Sequence, residues 1–213
     1  MNMEYSHLFD VPIQTTKLEL NIDSLIDFCY ELKHKNKKGT ILSNVGGWHS
    51  ENIINETHTE FVKLKNKIED AANIFHHDLQ FKKIYHQKID NIWANINQKG
   101  HSNVFHDHPY SILSGAFYLT KGETAPIVFE HPFKDINTYF WKKSIIEEWN
   151  TTNVARWNIP PKPNILLIFP SWIQHHVNEN KTKDTVRVSF AFNTFPIGEM
   201  GKYKGNQLIL KND

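Results

Sequence analysis

Cysteine is nearly absent from this 213-residue chain: Cys29 stands alone, which excludes an internal disulfide and any thiolate-based zinc cluster within one chain. Charge of one sign is lacking too. With 24 Lys plus Arg against 23 Asp plus Glu, the net charge is close to +1, so there is no basic excess for a phosphate backbone and no nucleic-acid partner is expected. No apolar run approaches the roughly 18 residues of a bilayer-spanning helix, so no membrane span is expected. The opening MNMEYSHLFDVPIQTT lacks the charged-then-apolar order of a secretory signal, which points to a reducing, cytoplasmic setting.

Arginine is the other scarcity. Arg156 and Arg187 are the only two, beside abundant Lys, Asn and Ile, the drift of an A/T-rich coding sequence. An arginine kept against that drift marks a place where lysine cannot copy its planar, permanently charged fork. What the chain does have is 13 histidines. With thiols excluded, a transition-metal site must be built from imidazole and carboxylate.

A chain of this length buries a full core unaided, which suits one domain spanning 1–213. Its N-terminal third, about 20–80, has helical periodicity. Asn21 is placed to cap a helix with Ile22, Leu25, Ile26, Cys29 and Leu32 on one face, ending near 34–39. A second helix spans about 59–79, with Phe61, Leu64, Ile68, Ala71, Ala72, Phe75 and Leu79 aligned and Thr57 with Glu60 as its capping box.

From about residue 88 the period becomes two. In 91–97, Ile92, Ala94 and Ile96 alternate with Trp93, Asn95 and Asn97, a strand with one apolar and one polar-aromatic face. Further strands are predicted over 112–120, 125–130, 164–169, 174–178 and 185–195. The pattern is an α+β fold with a mainly β core, about 88–195, in which helices buttress an antiparallel barrel or jelly roll. An aromatic insertion, 131–163, holds Trp141, Trp149, Trp157 and Arg156, with a short helix predicted over 144–149; it reads either as a lid or substrate wall or as plain structural packing. Arg156 is a candidate for substrate contact.

Two stretches carry chemistry. In an extended strand, residues two apart share a face, so His106 and His108 present two imidazoles to one ion while Asp107 points away. Pro109 suits that strand's end. Farther on, an apolar strand leads through Phe169, Pro170, Ser171 and Trp172 to His175 and His176, and after a polar hairpin (178–184) Arg187 and Ser189 share a strand face. A guanidinium beside a hydroxyl is a directional receptor for a carboxylate.

At these residues the chain resembles a known family. The ordered set is Ser43-Asn44-Val45-Gly46-Gly47-Trp48-His49-Ser50, then Trp93-Ala94-Asn95-Ile96-Asn97 with Gly100, His106-x-His108-Pro109 and Ser114-Gly115-Ala116-Phe117-Tyr118-Leu119. It closes with Phe169-Pro170-Ser171-Trp172, His175-x-Val177 and Arg187-x-Ser189 before Phe192-Asn193. Together these are similar to the iron(II)- and 2-oxoglutarate-dependent oxygenases of the double-stranded β-helix (cupin-like) fold, in a prolyl-hydroxylase-like subfamily common in marine bacteria and their phages.

The resemblance implies Fe(II), 2-oxoglutarate and O2 as cofactors, in the cytoplasm of a bacterium or a phage-infected host. His106 would be the first metal ligand and His175 the distal one, with His176 the alternative by spacing. Arg187 would bind the far carboxylate of 2-oxoglutarate, assisted by Ser189 and Tyr118. Asn95, Asn97, Trp93, Trp172 and Asn193 would line the pocket. The family's carboxylate ligand is replaced by His108, so the third ligand is His108, or Asp107 after a bend, or a carboxylate from elsewhere such as Glu123 or Glu130. The activity implied is hydroxylation of a peptidyl or small-molecule substrate, coupled to decarboxylation of 2-oxoglutarate to succinate. The other readings are a noncatalytic three-histidine metal- or ligand-binding jelly roll and a cupin-type dioxygenase without 2-oxoglutarate. The helical layer leaves room for a homodimer.

Overall fold

The computed structural model describes residues 3–4, 9–135, 145–203 and 206–210. In chain order its elements are β1 (Gln14–Lys17), α1 (Ile22–Lys35), β2 (Asn44–Val45), β3 (Trp48–His49), α2 (Thr59–Asp78) and β4 (His86–Asn97). Then come β5 (Ser102–His106), β6 (Leu113–Tyr118), β7 (Ile127–Glu130), β8 (Arg156–Ile159), β9 (Ile165–Pro170), β10 (His175–Val177), β11 (Arg187–Tyr203) and β12 (Asn206–Leu210). Neither helix is long and apolar enough to cross a membrane.

Two antiparallel sheets face each other. The larger runs β1-β9-β6-β11-β4-β3, with β12 added to β11, and the smaller runs β2-β5-β10-β7-β8. Alternation on the large sheet decides what faces where. Ile92, Ala94 and Ile96 of β4 and Val188, Phe190 and Phe192 of β11 are buried against the helices. Their neighbours Trp93, Asn95, Asn97, Arg187, Ser189 and Asn193 are thereby turned to the space between the sheets. Register fixes the lateral order, pairing Arg187 with Asn97 and Ser189 with both Asn95 and Tyr118.

The helices are seated by aromatic contacts: Phe61 lies 5.2 Å from both Phe28 and Phe190, centroid to centroid. Each such buried side chain stabilises the layer by roughly 1.5–3 kcal/mol. Asn21 caps α1 as the periodicity predicts, its Oδ1 accepting the Ser24 N–H at 3.1 Å. The capping box of α2 does not form. His58 is the N-cap residue with no side-chain cap bond, because the Glu60 carboxylate instead accepts the Asn21 N–H at 3.1 Å, tying the two helix starts together.

The far end of α1 positions β3. Trp48 Nε1 donates to the Asn36 carbonyl at 2.9 Å, and Gly39 (φ +60°) passes so close that a Cβ there would lie 2.4 Å from the His49 carbonyl oxygen. Only glycine allows that approach. Within the insertion, Trp141 and Ser144 lie outside the described residues, and 145–149 form no α-helix. Its C-terminal part is β8, which pairs with β7 and extends the small sheet.

Candidate metal centre

Three imidazoles converge between the sheets. Cross-strand register sets His175 directly opposite His106, the first residue of β10 facing the last of β5. Strand β5 stops there, so His108 does not extend it as the sequence pattern implies. Its N–H donates to the Ser171 carbonyl at 3.0 Å, and the chain then turns through Tyr110 at φ +68°. The result nonetheless brings one ring nitrogen each from His106, His108 and His175 within 4.8 Å of one another.

The hydrogen bonds settle which nitrogens are free. His106 Nδ1 lies 2.8 Å from the Val104 carbonyl oxygen and His175 Nδ1 2.9 Å from that of Ile173. A carbonyl oxygen only accepts, so both rings carry their proton on Nδ1 and present the Nε2 lone pair inward. His108 Nε2 sits 3.2 Å from His175 Nε2, so these two rings turn the same nitrogen toward one point. Burial, with His106 nearby, pushes His108 down to about 4 and His175 to about 3, and burial lowers His106 as well. The three are therefore neutral at neutral pH, as ligands must be.

A pH dependence follows. Each of these groups titrates lower in the folded protein than its ordinary 6.5. As pH falls below 6.5 the unfolded chain takes up protons that the folded chain does not, so stability present above 6.5 is lost on the way down. Chelator-treated protein should show a lower urea midpoint at pH 5.5 than at 7.5, and substituting His175 by Gln should flatten that difference.

His176 is the residue alternation turns outward. It packs on Phe105 at 3.9 Å and bonds Asn178 at 3.0 Å, so the ambiguity with His175 resolves by strand face. The Asp107 carboxylate accepts from Gln174 and is not one of the converging groups. Glu130 is engaged by Lys134 and Arg156. Arg156 makes that ion pair and lies over the Phe105 ring, 4.8 Å from its centroid. Trp172 is 57 % exposed: the turn after Pro170 buries Ser171 and turns its neighbour out, away from the core.

Arg187 is 3 % exposed, and no carboxylate pairs with it among the described residues. Its Nε donates to the Ala125 carbonyl at 3.2 Å, one terminal nitrogen donates to Ser189 Oγ at 3.1 Å, and its Cζ lies 5.2 Å from the Tyr118 ring centre. The Tyr118 hydroxyl is buried, and the Arg187 guanidinium is the polar group beside it. Tyr118 belongs to the cluster with Phe129 and Phe169 that also touches His175, at ring distances of 5.9 and 4.8 Å, so receptor and imidazoles share one interior. Asn95 is buried with no side-chain bond among the described residues, whereas Asn97 donates to Asn103 at 3.2 Å.

A cleft of about 490 Å³ opens beside His106 and His108. Its wall is a stack in which Trp93 lies between His49 and His108, at 5.3 and 5.8 Å. His49 had no role assigned from sequence, because a two-residue strand shows no periodicity; its place in the Gly46-Gly47-Trp48-His49 run was the available signal. Asn193 reaches the cleft through a buried relay: Ser114 Oγ donates to Asn193 Oδ1 at 2.7 Å and meets Ser171 Oγ at 2.7 Å. Asn193 in turn donates to Asn91 at 2.9 Å.

The comparisons agree with this geometry. Residues 91–193 match the family model described as "Putative 2OG-Fe(II) oxygenase". Among solved structures, a prolyl-4-hydroxylase of Pseudomonas putida is similar at TM-score 0.58 and 11 % identity, over 85 % of this chain and 91 % of that one. The viral collagen prolyl hydroxylase of Paramecium Bursaria Chlorella virus-1 aligns at 0.55 and 13 %, over 85 % and 94 %. HygX of Streptomyces hygroscopicus, solved with nickel and 2-oxoglutarate bound, aligns at 0.57 and 8 %, over 86 % and 82 %. No curated protein sequence matches. The matched segment 91–193, just under half of the chain, holds all three imidazoles and the arginine receptor, so the whole site lies in the part of the chain that is similar to the 2OG-Fe(II) oxygenases.

Proposed function

We propose that the protein is a hydroxylase whose metal is held by His106, His108 and His175 and whose cosubstrate is held at its far carboxylate by Arg187, Ser189 and Tyr118. The observation that carries this reading is the buried guanidinium without a carboxylate, in the same interior as three inward-facing imidazoles. A desolvated cation of that kind is costly unless an anion meets it. The buried Tyr118 hydroxyl beside the guanidinium and the hydroxyl of Ser189 complete a receptor for one carboxylate.

The donor set fits a divalent ion, and its three neutral nitrogens leave the full charge for a bound dianion to offset. Held by these three histidines, a divalent iron would supply the O2 activation that couples substrate hydroxylation to conversion of 2-oxoglutarate into succinate and CO2. The chain's own residues orient and exclude. Val104 and Ile173 fix two imidazoles, Phe129 and Phe169 keep the cosubstrate side dry, and Asn95 lies between His49 and Ser189 in register. The substrate, peptidyl or small, enters by the cleft beside Trp93.

Incubation with Fe(II), ascorbate, O2 and 2-oxoglutarate, without a primary substrate, tests the reading. Slow succinate formation that stops in Arg187→Met supports it. Stoichiometric metal with neither 2-oxoglutarate binding nor succinate would favour the noncatalytic module.

A further inference from the structure

The cleft beside the imidazoles continues past His108 into a second recess of about 570 Å³, and both are lined by Asn91, Asp107, His108 and Asn193. Charge along this trough is one-sided. Glu51 stands in the first recess, Asp90 in the second and Asp107 in both, while no lysine or arginine lines either one, in a chain that carries 24. Four carboxylates among the described residues, Asp23, Glu60, Glu69 and Glu130, pair with a lysine. The trough's three do not. Glu51 accepts only from the Asn36 amide at 3.1 Å, Asp90 from the Asn91 amide at 3.3 Å, and Asp107 from Gln174, bonds that leave the charge uncompensated.

The floor is built to hold a ligand in one orientation. Asn193 is buried and fixed from behind by Ser114, which in turn meets fully buried Ser171, and Asn193 orders Asn91. Opposite, cleft-lining His49 is stacked on Trp93, which closes that side of the first recess with aromatic surface. A rigid polar floor with net negative walls selects against anions and in favour of a cation whose remaining atoms are hydrogen-bonded or apolar.

Resting on the hydroxylase reading above, we propose that the primary substrate is an alkylammonium, a lysine-type side chain or free amine, whose charge is held by Asp107 and Glu51 while its methylene chain lies along the Trp93 edge beside His108.

The test is calorimetry on Mn(II)-loaded protein, with and without 2-oxoglutarate, using Nα-acetyl-lysine methylamide and its uncharged counterpart Nα-acetyl-norleucine methylamide. The lysine probe should bind at least tenfold more tightly, less so at higher salt, with its ε-methylene signal broadened by Mn(II). The preference should vanish in the Glu51→Gln/Asp107→Asn double variant, which keeps its metal. Free lysine binding as well as the blocked probe identifies a small-molecule source; a lysine-containing peptide binding better than both identifies a protein. Equal binding of the two probes, or a preference that survives in the double variant, overturns the proposal. A 2-oxoglutarate titration on the same samples separates the two levels: intact cosubstrate binding without cation preference removes only the trough assignment, and loss of cosubstrate binding in the wild type removes the hydroxylase reading.

Discussion

Replacing His175 by alanine abolishes stoichiometric binding of Fe(II) or Mn(II) while both sheets and the helical layer stay folded. His175 is 4 % exposed and is the ring against which both other imidazoles pack, with centroids 4.4 Å from His106 and 5.1 Å from His108. Removing it leaves two neutral nitrogens, too few to strip a divalent ion of its water. Substituting groups that merely orient metal ligands already costs 10- to 100-fold in affinity, so loss of a ligand itself should exceed about 100-fold. The fold should survive, because His175 begins a three-residue strand whose ladder to Phe129 and His106 is made by backbone, and the main core lies on the other side of the large sheet. Metal analysis after gel filtration, with circular dichroism as the folding control, reads both results. His176→Ala is the paired control: its ring packs outward on Phe105, so metal content there should equal the wild type. Equal loss in the two variants, or metal retained in His175→Ala, would remove the centre as assigned.

That His106 and His175 face one interior was legible from alternation, and the limits of alternation explain what was not. The β4 pattern told which side of 92–97 faces the helices, and by register that decided the inward face of β11 as well, including Arg187 and Ser189. The helices were legible for the same reason, since a long periodic run averages over single exceptions. Short or nonperiodic pieces carry no such average. Strands β2 and β3 have two residues each, so His49 and its stack on Trp93 had no local signature. His108 is placed by a bond to Ser171, 63 positions away, and not by the strand that ends at His106.

Local chemistry was overridden in two further places. Glu60 has the spacing of a capping box, yet the start of α1 captures it. The segment 178–184 is polar throughout, yet Asn180 is fully buried, donating to the Asn97 and Thr185 carbonyls at 3.2 and 2.9 Å and accepting from Thr182. Its amide substitutes for strand pairing where the chain crosses over the end of β4. A polar residue satisfied by distant backbone looks, in sequence, the same as one facing water.

Arg187→Lys should weaken 2-oxoglutarate binding by roughly 1 to 3 kcal/mol, about 5- to 150-fold, with metal content unchanged. The substitution isolates geometry from charge. In the wild type the guanidinium is held on two sides, by the Ala125 carbonyl and by Ser189 Oγ, with the Tyr118 ring alongside; the fork's directions are set before any ligand arrives. A lysine keeps the positive charge but has one nitrogen on a flexible stem. It cannot satisfy Ala125 and Ser189 and also present two parallel donors to a carboxylate. Burial sharpens the difference, since in a dry site each misdirected donor is a desolvated group without a partner. Because a ligand that binds only the folded state raises stability by mass action, the same comparison can be read by melting: saturating 2-oxoglutarate should raise the midpoint of the Mn(II)-loaded wild type clearly more than that of the variant. Anaerobic calorimetry gives the affinity directly. An affinity indifferent to the change would mean that the cosubstrate's far carboxylate lies elsewhere, and would leave a buried, unpaired arginine with no anion to explain it.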